Sequence, residues 1–341
     1  MVKWKFAVGL FMFLFFASTL CALDVEADDK AGSPGSPAKI RIAQPGHDDY
    51  GIQLYLADQL GFFKKEGLEV EFINFKSSPL SVAALLADEV QFCLTSYDQA
   101  LKMFEKGKTL KNLFTTTEKH PWALLARSEI KTVADLKGKT ISAKMPGSGP
   151  RAFAVNILLH YGLDPEKDVI FVDLPETAIL PSYENKAIDA TVGSGIRKTE
   201  LLQRGARVLV DMNDPKQHRD LLETDAFPLK VVLATAEYIE KNPEIVQHFV
   251  NATVQAMAWE KEQTSREIAA KVAPYFLGSP NEATIDDVRR AFSHDGLITE
   301  EGHKALEKQS ISVGLISQPV PMDDVVDLSF LKKALEQYPP K

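Results

Sequence analysis

The chain is poor in cysteine, has no surplus of positive charge and contains a single long apolar run. Each shortage removes a class of protein. The 341 residues hold two cysteines, Cys21 and Cys93. Cys21 directly follows the N-terminal apolar run and is expected to be cleaved off with it, so no disulfide framework is possible and stability must come from a large core. Cys93 lies in the strand-like "VQFCLTS", where a lone thiol reads as core material. Lys and Arg total 39 against 47 Asp and Glu, a net charge of −8. That balance argues against nucleic acid or an anionic membrane as partner. The seven histidines are dispersed, with no H-E-x-x-H pair, so no metal site is expected. A P-loop and a G-x-S-x-G elbow are also missing; "VGSG" around Ser194 lacks the elbow's spacing. His47-Asp48-Asp49 could hold a metal or act as a base, but a lone triplet of this kind is more simply a polar loop. No two carboxylates stand out as acid and base. Neither a catalytic residue nor a cofactor is expected.

The apolar run, "FAVGLFMFLFFASTL", follows the short basic start "MVKWK". At about fifteen residues it is shorter than the roughly twenty that span a bilayer, and it has the form of a secretory h-region. Val25-Glu26-Ala27 fits the cleavage pattern. Residues 1–27 therefore read as a signal peptide, and the Gly/Ser/Pro-rich 28–38 as a flexible leader. Acylation at Cys21 is the alternative, and Leu20 before it is larger than that pattern wants. The protein is expected to be exported. About 310 residues remain, enough for two domains.

Strand and helix patterns alternate along those residues. "KIRIAQ" (39–44) reads as strand, 50–67 as a helix closed by Gly67, "LEVEFINF" (68–75) as strand, and the alternation continues through "VQFCLTS" and "LKNLFTTT". Short βα units of this kind predict largely parallel sheets with helices on their faces. A charged, polar segment at 126–132 and a turn-rich one at 212–228 interrupt the series. Beyond 237 the pattern is helical, to about 276 and again over 284–294, 300–316 and 323–337. About ten strands and two interruptions predict two α/β lobes: 39–125 with 229–341, and 126–228.

"SAKMPGSGPRAFAV" (142–155) fits G-x-G-x-x-G/A, with Asp173 about twenty residues on. A dinucleotide reading meets three objections: the motif is in mid-chain, Pro150 stiffens the turn, and an exported protein meets little NAD. Two readings stay open. In one, the stretch is simply a Gly/Pro turn that starts a helix. Alternatively Gly149 and Pro150 open a helix whose free N–H groups, with the Ser148 hydroxyl and the Arg151 guanidinium, hold a small anion. Ligands in open α/β sheets bind outside the carboxyl ends of strands. Those ends here (44–50, 76–79, 95–98, 115–122, 174–177 and 192–195) are rich in hydroxyls, small residues and aromatics. Such groups hold a polar solute without reacting with it.

Several stretches resemble the solute-binding proteins of bacterial ABC importers, in the nitrate/sulfonate/taurine-type group that includes thiamine-precursor-binding members. "LADQLGFFKKEGLEVEFINF" (56–75) is similar to that family's A-x-x-x-G-F-F-x-x-E-G-L-x-V signature. "SVAALLADEVQFCLTSYDQAL" (81–101), "TVADLKGKTISAKMPGSGPRAFAVNILLHYGLDPEKDVIFVDL" (132–174), "ENKAIDATVGS" (184–194) and 238–259 continue the likeness. The resemblance implies a type II periplasmic binding fold: two α/β lobes joined by two crossings, closing on a small molecule. It implies ligand contacts at His47, Tyr50, Ser77, Ser78, Thr95, Ser96, Thr116 and Trp122 in one lobe. In the other it implicates Ser148, Gly149, Arg151, Glu176 and Ser194, with Phe227 near the second crossing. It further implies a monomer in the periplasm that delivers a sulfonate- or carboxylate-like solute to an inner-membrane permease. The acids of "HDDYG" depart from the small residues usual after the first strand. They point away from a plain inorganic anion and toward an organic, zwitterionic or aromatic ligand. The cysteine-rich iron motif of the related pyrimidine-making enzymes is absent. Binding of a thiamine-pyrimidine-type ligand, an exported enzyme on the same scaffold and a sensor subunit for a membrane receptor remain as alternatives.

Overall fold

The computed structural model describes residues 37–46, 49–276 and 278–339. The signal peptide expected over 1–27, Cys21, most of the leader expected over 28–38, and His47 lie outside the described residues. Ten strands are present among the described residues: β1 (Ala38–Pro45), β2 (Leu68–Phe75), β3 (Phe92–Ser96), β4 (Leu110–Thr115), β5 (Ala123–Ala126), β6 (Lys139–Ser142), β7 (Val169–Val172), β8 (Ala190–Gly193), β9 (Arg207–Asp211) and β10 (Lys230–Thr235). They form two sheets, ordered β2-β1-β3-β10-β4 and β7-β6-β8-β5-β9. Gly67 and Gly107 end helices as their positions predict. Both are left-handed, with φ of +75° and +73°, and release the chain toward the next strand.

Each sheet departs from the expected parallel order at one strand. β10 runs antiparallel to β3 and β4, and β5 antiparallel to β8 and β9. In both cases it is the strand the chain forms on arriving from the other lobe. This corrects the lobe boundary expected after residue 125. Ala123 to Ala126 pair with Gly193 to Ala190, so β5 belongs to the second sheet and the first crossing is 116–122. All four of its residues are buried. With no alternation of polar and apolar positions, "ALLA" gave no sign of which sheet would hold it. The second crossing, 212–229, carries the helix Pro215–Leu222, whose first N–H groups (Lys216 and Gln217) donate to the Asp214 carboxylate.

The helical region expected over 237–276 is three helices, Ala236–Lys241, Pro243–Glu262 and Ser265–Val272. Pro243 opens the second, and Thr264 with Glu267 forms a capping box at the third. Phe249 stacks on Phe92 of β3 at 3.9 Å and on Phe63 at 5.5 Å, which ties the long helix to the first sheet. The last helix, Ser329–Gln337, packs on the long one, so the C-terminal third returns to the first lobe. No described helix is long and apolar enough to cross a membrane.

Candidate functional site

The carboxyl ends of β1, β6 and β8 meet the start of β10 at a cleft of about 450 Å³. The first lobe supplies Pro45, Asp49, Tyr50, Lys230 and Phe276. The second supplies Ser142, Lys144, Pro150, Glu176, Ile179, Ser194 and Arg197, and Trp122 joins them from the end of the first crossing. A volume of this size holds a small organic molecule.

The charged groups of the second wall form one array. Glu176 Oε2 accepts from Lys144 Nζ at 2.7 Å, and Oε1 accepts from Arg197 Nε at 3.1 Å and Nη2 at 2.7 Å. Arg197 also donates to the Glu176 carbonyl at 2.9 Å and lies 3.7 Å from Glu200. Burial disfavours the Glu176 carboxylate, but Lys144 and Arg197 outweigh it and hold the group below the usual glutamate range. Lys144 reaches this position from a left-handed backbone, φ +61°. Strain of that kind in a non-glycine residue persists only where its surroundings impose it. On the other wall Lys230 is buried, its ammonium 5.6 Å from the centre of the Trp122 ring.

The lobes touch on both flanks of the cleft. On one side Lys102 Nζ donates to the Gly147 carbonyl at 2.9 Å. On the other, Asp287 accepts from Lys198 Nζ at 2.6 Å, Asn213 Nδ2 at 3.0 Å and the Gly195 N–H at 3.2 Å. Asp287 belongs to the helix Glu282–Arg289, which packs on Ser265–Val272 and through it on Ile52–Gln59 of the first lobe. Gly149 is seated so closely that a Cβ there would lie 2.7 Å from both Ser96 Oγ and the Trp122 ring.

Behind Trp122 the two crossings meet at two histidines. The His120 N–H donates to His218 Nε2 at 3.1 Å, and His218 Nδ1 lies 2.9 Å from the Thr224 carbonyl, to which it must donate. Burial is the main cause that lowers both imidazoles below their ordinary value of 6.5, His120 far below. The folded state therefore binds fewer protons than the unfolded one. The stability these rings contribute is complete above about pH 6.5 and declines as pH falls below it. The carbon-bound proton resonances of His120 are expected to stay fixed between about pH 7.5 and pH 6, and those of His218 to titrate below the ordinary imidazole range. A titration centred near the ordinary imidazole value would contradict this.

Of the residues chosen from sequence, Tyr50, Trp122, Glu176 and Ser194 line the cleft. Ser96 and Gly149 lie against each other beside Trp122. The hydroxyls of Ser77, Thr95 and Ser96 are buried with no hydrogen-bond partner among the described residues. Ser78 is buried in the first turn of its helix, and Ser148 Oγ donates to the Met145 carbonyl at 2.7 Å. Three choices are placed elsewhere. Thr116 Oγ1 donates to the Lys230 carbonyl, and Phe227 is fully buried against His120 and His218. Arg151 is not at the cleft; its guanidinium lies 3.8 Å over the ring of Phe171 in β7. Pro150 does line the cleft, and one helical residue further on the direction has turned by about 100°. Sequence reasoning missed Lys144, Arg197, Lys230 and Phe276. Lys144 carried a signal, lying two residues past the end of β6, and Arg197 a weaker one, in the first turn of the helix that follows β8.

A family model described as "NMT1/THI5 like" matches residues 49–265. A putative aliphatic sulfonates-binding protein of Bacillus subtilis (strain 168) is 25% identical over 327 residues, 90% of this chain and 92% of that one. Among solved structures, one from Bordetella bronchiseptica RB50 superposes with TM-score 0.81 at 24% identity, over 89% of this chain and 98% of that one. The alkanesulfonate-binding protein SsuA of Xanthomonas axonopodis pv. citri, solved bound to MOPS, gives 0.68 at 18%, over 86% and 99%. The desulfurization enzyme DSZB shares the fold at TM-score 0.58 and 17% identity, over 88% and 99%. With the match covering most of its length and the same two-lobed architecture, the chain belongs to the NMT1/THI5-like family and has the fold of periplasmic solute-binding proteins.

Proposed function

We propose that the protein captures a small organic solute outside the cytoplasm, closes its lobes over it, and delivers it to an ABC permease in the inner membrane. One observation carries this reading: the cleft draws its walls from two sheets joined by two crossings, so occupancy and lobe closure are coupled. In this reading the lobes are 39–122 with 229–341, and 123–228; residues 1–27 direct export, and the mature chain acts as a monomer. Family membership and the sulfonate-binding relative support it. The chemistry of the walls favours holding over turnover. Cys93 is fully buried and burial pushes its thiol up, away from the thiolate a nucleophile needs. His120, packed edge-on behind Trp122, is buried, and burial lowers its imidazole well below the ordinary value and keeps it neutral.

The test is small-angle scattering of gently purified protein before and after its co-purifying solute is removed by partial unfolding and refolding. The radius of gyration is expected to rise on removal and to fall again when the solute is restored. Mass spectrometry of the solute after long incubation separates binding from turnover. Unchanged mass is expected, and conversion would establish an enzyme on this scaffold.

A further inference from the structure

Resting on the reading of the cleft as a solute site, we propose that the solute carries a nitrogen donor, an ammonium or amidine-type group, which Glu176 reads. The expectation from sequence was an anion, with Arg151 as its grip; Arg151 stacks on Phe171 instead. The cations that do line the second wall, Lys144 and Arg197, are already matched to a carboxylate. Glu176 already balances much of their charge, so the second wall offers a purely anionic solute little unpaired positive charge.

The pattern of exposure points the same way. The Glu176 side chain is 43% exposed, while Lys144 is 23% and Arg197 16%. Glu200, the other partner of Arg197, is 36% exposed. What the wall presents to a visitor is carboxylate, with its cations set behind. A carboxylate offers about four acceptor positions. Arg197 takes two on Oε1 and Lys144 takes one on Oε2, so one position on Oε2 is left. The carboxylate is also pinned from two directions, and its orientation is fixed before any solute arrives. A pre-set, ionised acceptor beside Tyr50, Trp122, Ile179 and Phe276 suits an apolar body bearing a charged N–H donor. A solute that also has an acidic group enters with zero net charge and matches the alternation of sign along Lys144, Glu176, Arg197 and Glu200.

The test titrates the full chain, stripped of bound solute, with three pairs of probes that differ in the amino group. These are 2-aminoethanesulfonate and ethanesulfonate, phenylalanine and 3-phenylpropanoate, and benzylamine and benzyl alcohol. At least one nitrogen-bearing probe is expected to bind at least tenfold more tightly than its counterpart and to close the lobes in scattering. Glu176→Gln is expected to abolish that preference. Lys144→Asn, whose side chain tolerates the left-handed backbone, is expected to strengthen binding of the same probe several-fold, and it serves if Glu176→Gln does not fold. Equal binding within every pair overturns the proposal, as does tighter anion binding by Glu176→Gln; in either case lobe closure by an anion would leave solute capture standing. Silence from all six probes also overturns it, and counts against solute capture only if the protein's own solute fails to move the lobes as well.

Discussion

Gly195→Ala is expected to hold the lobes apart and to weaken solute binding by about a hundredfold or more. Gly195 opens the helix Gly195–Gln203 of the second lobe with φ +48°, a conformation that costs an alanine roughly 1–2 kcal/mol. Sterics add to that. A Cβ there would lie 2.2 Å from Asp49 Oδ2 and 2.9 Å from Val288 Cγ1. Both belong to the facing lobe, and Val288 is fully buried on its helix, so it has nowhere to move. Asp49 can turn its carboxylate aside, but the contact with buried Val288 is relieved by separating the lobes. That movement also pulls the Gly195 N–H and Lys198 away from Asp287. Each charge-assisted contact of this kind contributes about 1.5–3 kcal/mol. A penalty of about 3 kcal/mol on the closed state lowers solute affinity roughly a hundredfold, because binding and closure are linked. Scattering should show a larger radius of gyration that added solute no longer reduces. A variant that closes and binds normally would mean that this flank plays no part in closure.

Trp122→Ala is expected to damage both the scaffold and the site. The ring is 6% exposed and packs edge-on against His120 at 5.2 Å and Phe153 at 6.0 Å, with Lys230 above it and Gly149 against its rim. Truncating a buried tryptophan costs about 3–5 kcal/mol. In a chain of this size the melting midpoint should fall by on the order of 5–10 °C. Solute affinity should drop by about a hundredfold, since the same ring lines the cleft. Trp122→Phe keeps an aromatic face and should recover most of the stability but only part of the affinity. Calorimetry and titration on the two variants separate these effects. Equal affinity in wild type and alanine variant would remove Trp122 from the site.

Much of this architecture was readable in the residues. Gly67 and Gly107 punctuate the βα units, and the strand-end rule led to Tyr50, Trp122, Glu176 and Ser194. What escaped has physical causes. β5 and β10 are antiparallel, so an amino end such as Lys230 arrives at the rim where only carboxyl ends were sought. Helical rotation separates Arg151 from its cleft-lining neighbour Pro150. Phe276 comes from the far C-terminal part of the chain, and no local pattern ties it to β1 or β6. Charge pairing is a matter of three dimensions as well. Nothing in the spacing of Lys144, Glu176 and Arg197 announces that they form one array.

The placement of β10 between β3 and β4 also governs how a newly made chain matures. β4 ends at Thr115 and β10 begins at Lys230, so on the ribosome the second lobe emerges whole while its partner waits with an open seam. Until residue 235 is out, the buried row Phe92–Ser96 has an unpaired edge, an invitation to a holdase or to aggregation. A nascent chain arrested just short of Lys230 should resist protease only across its inner segment.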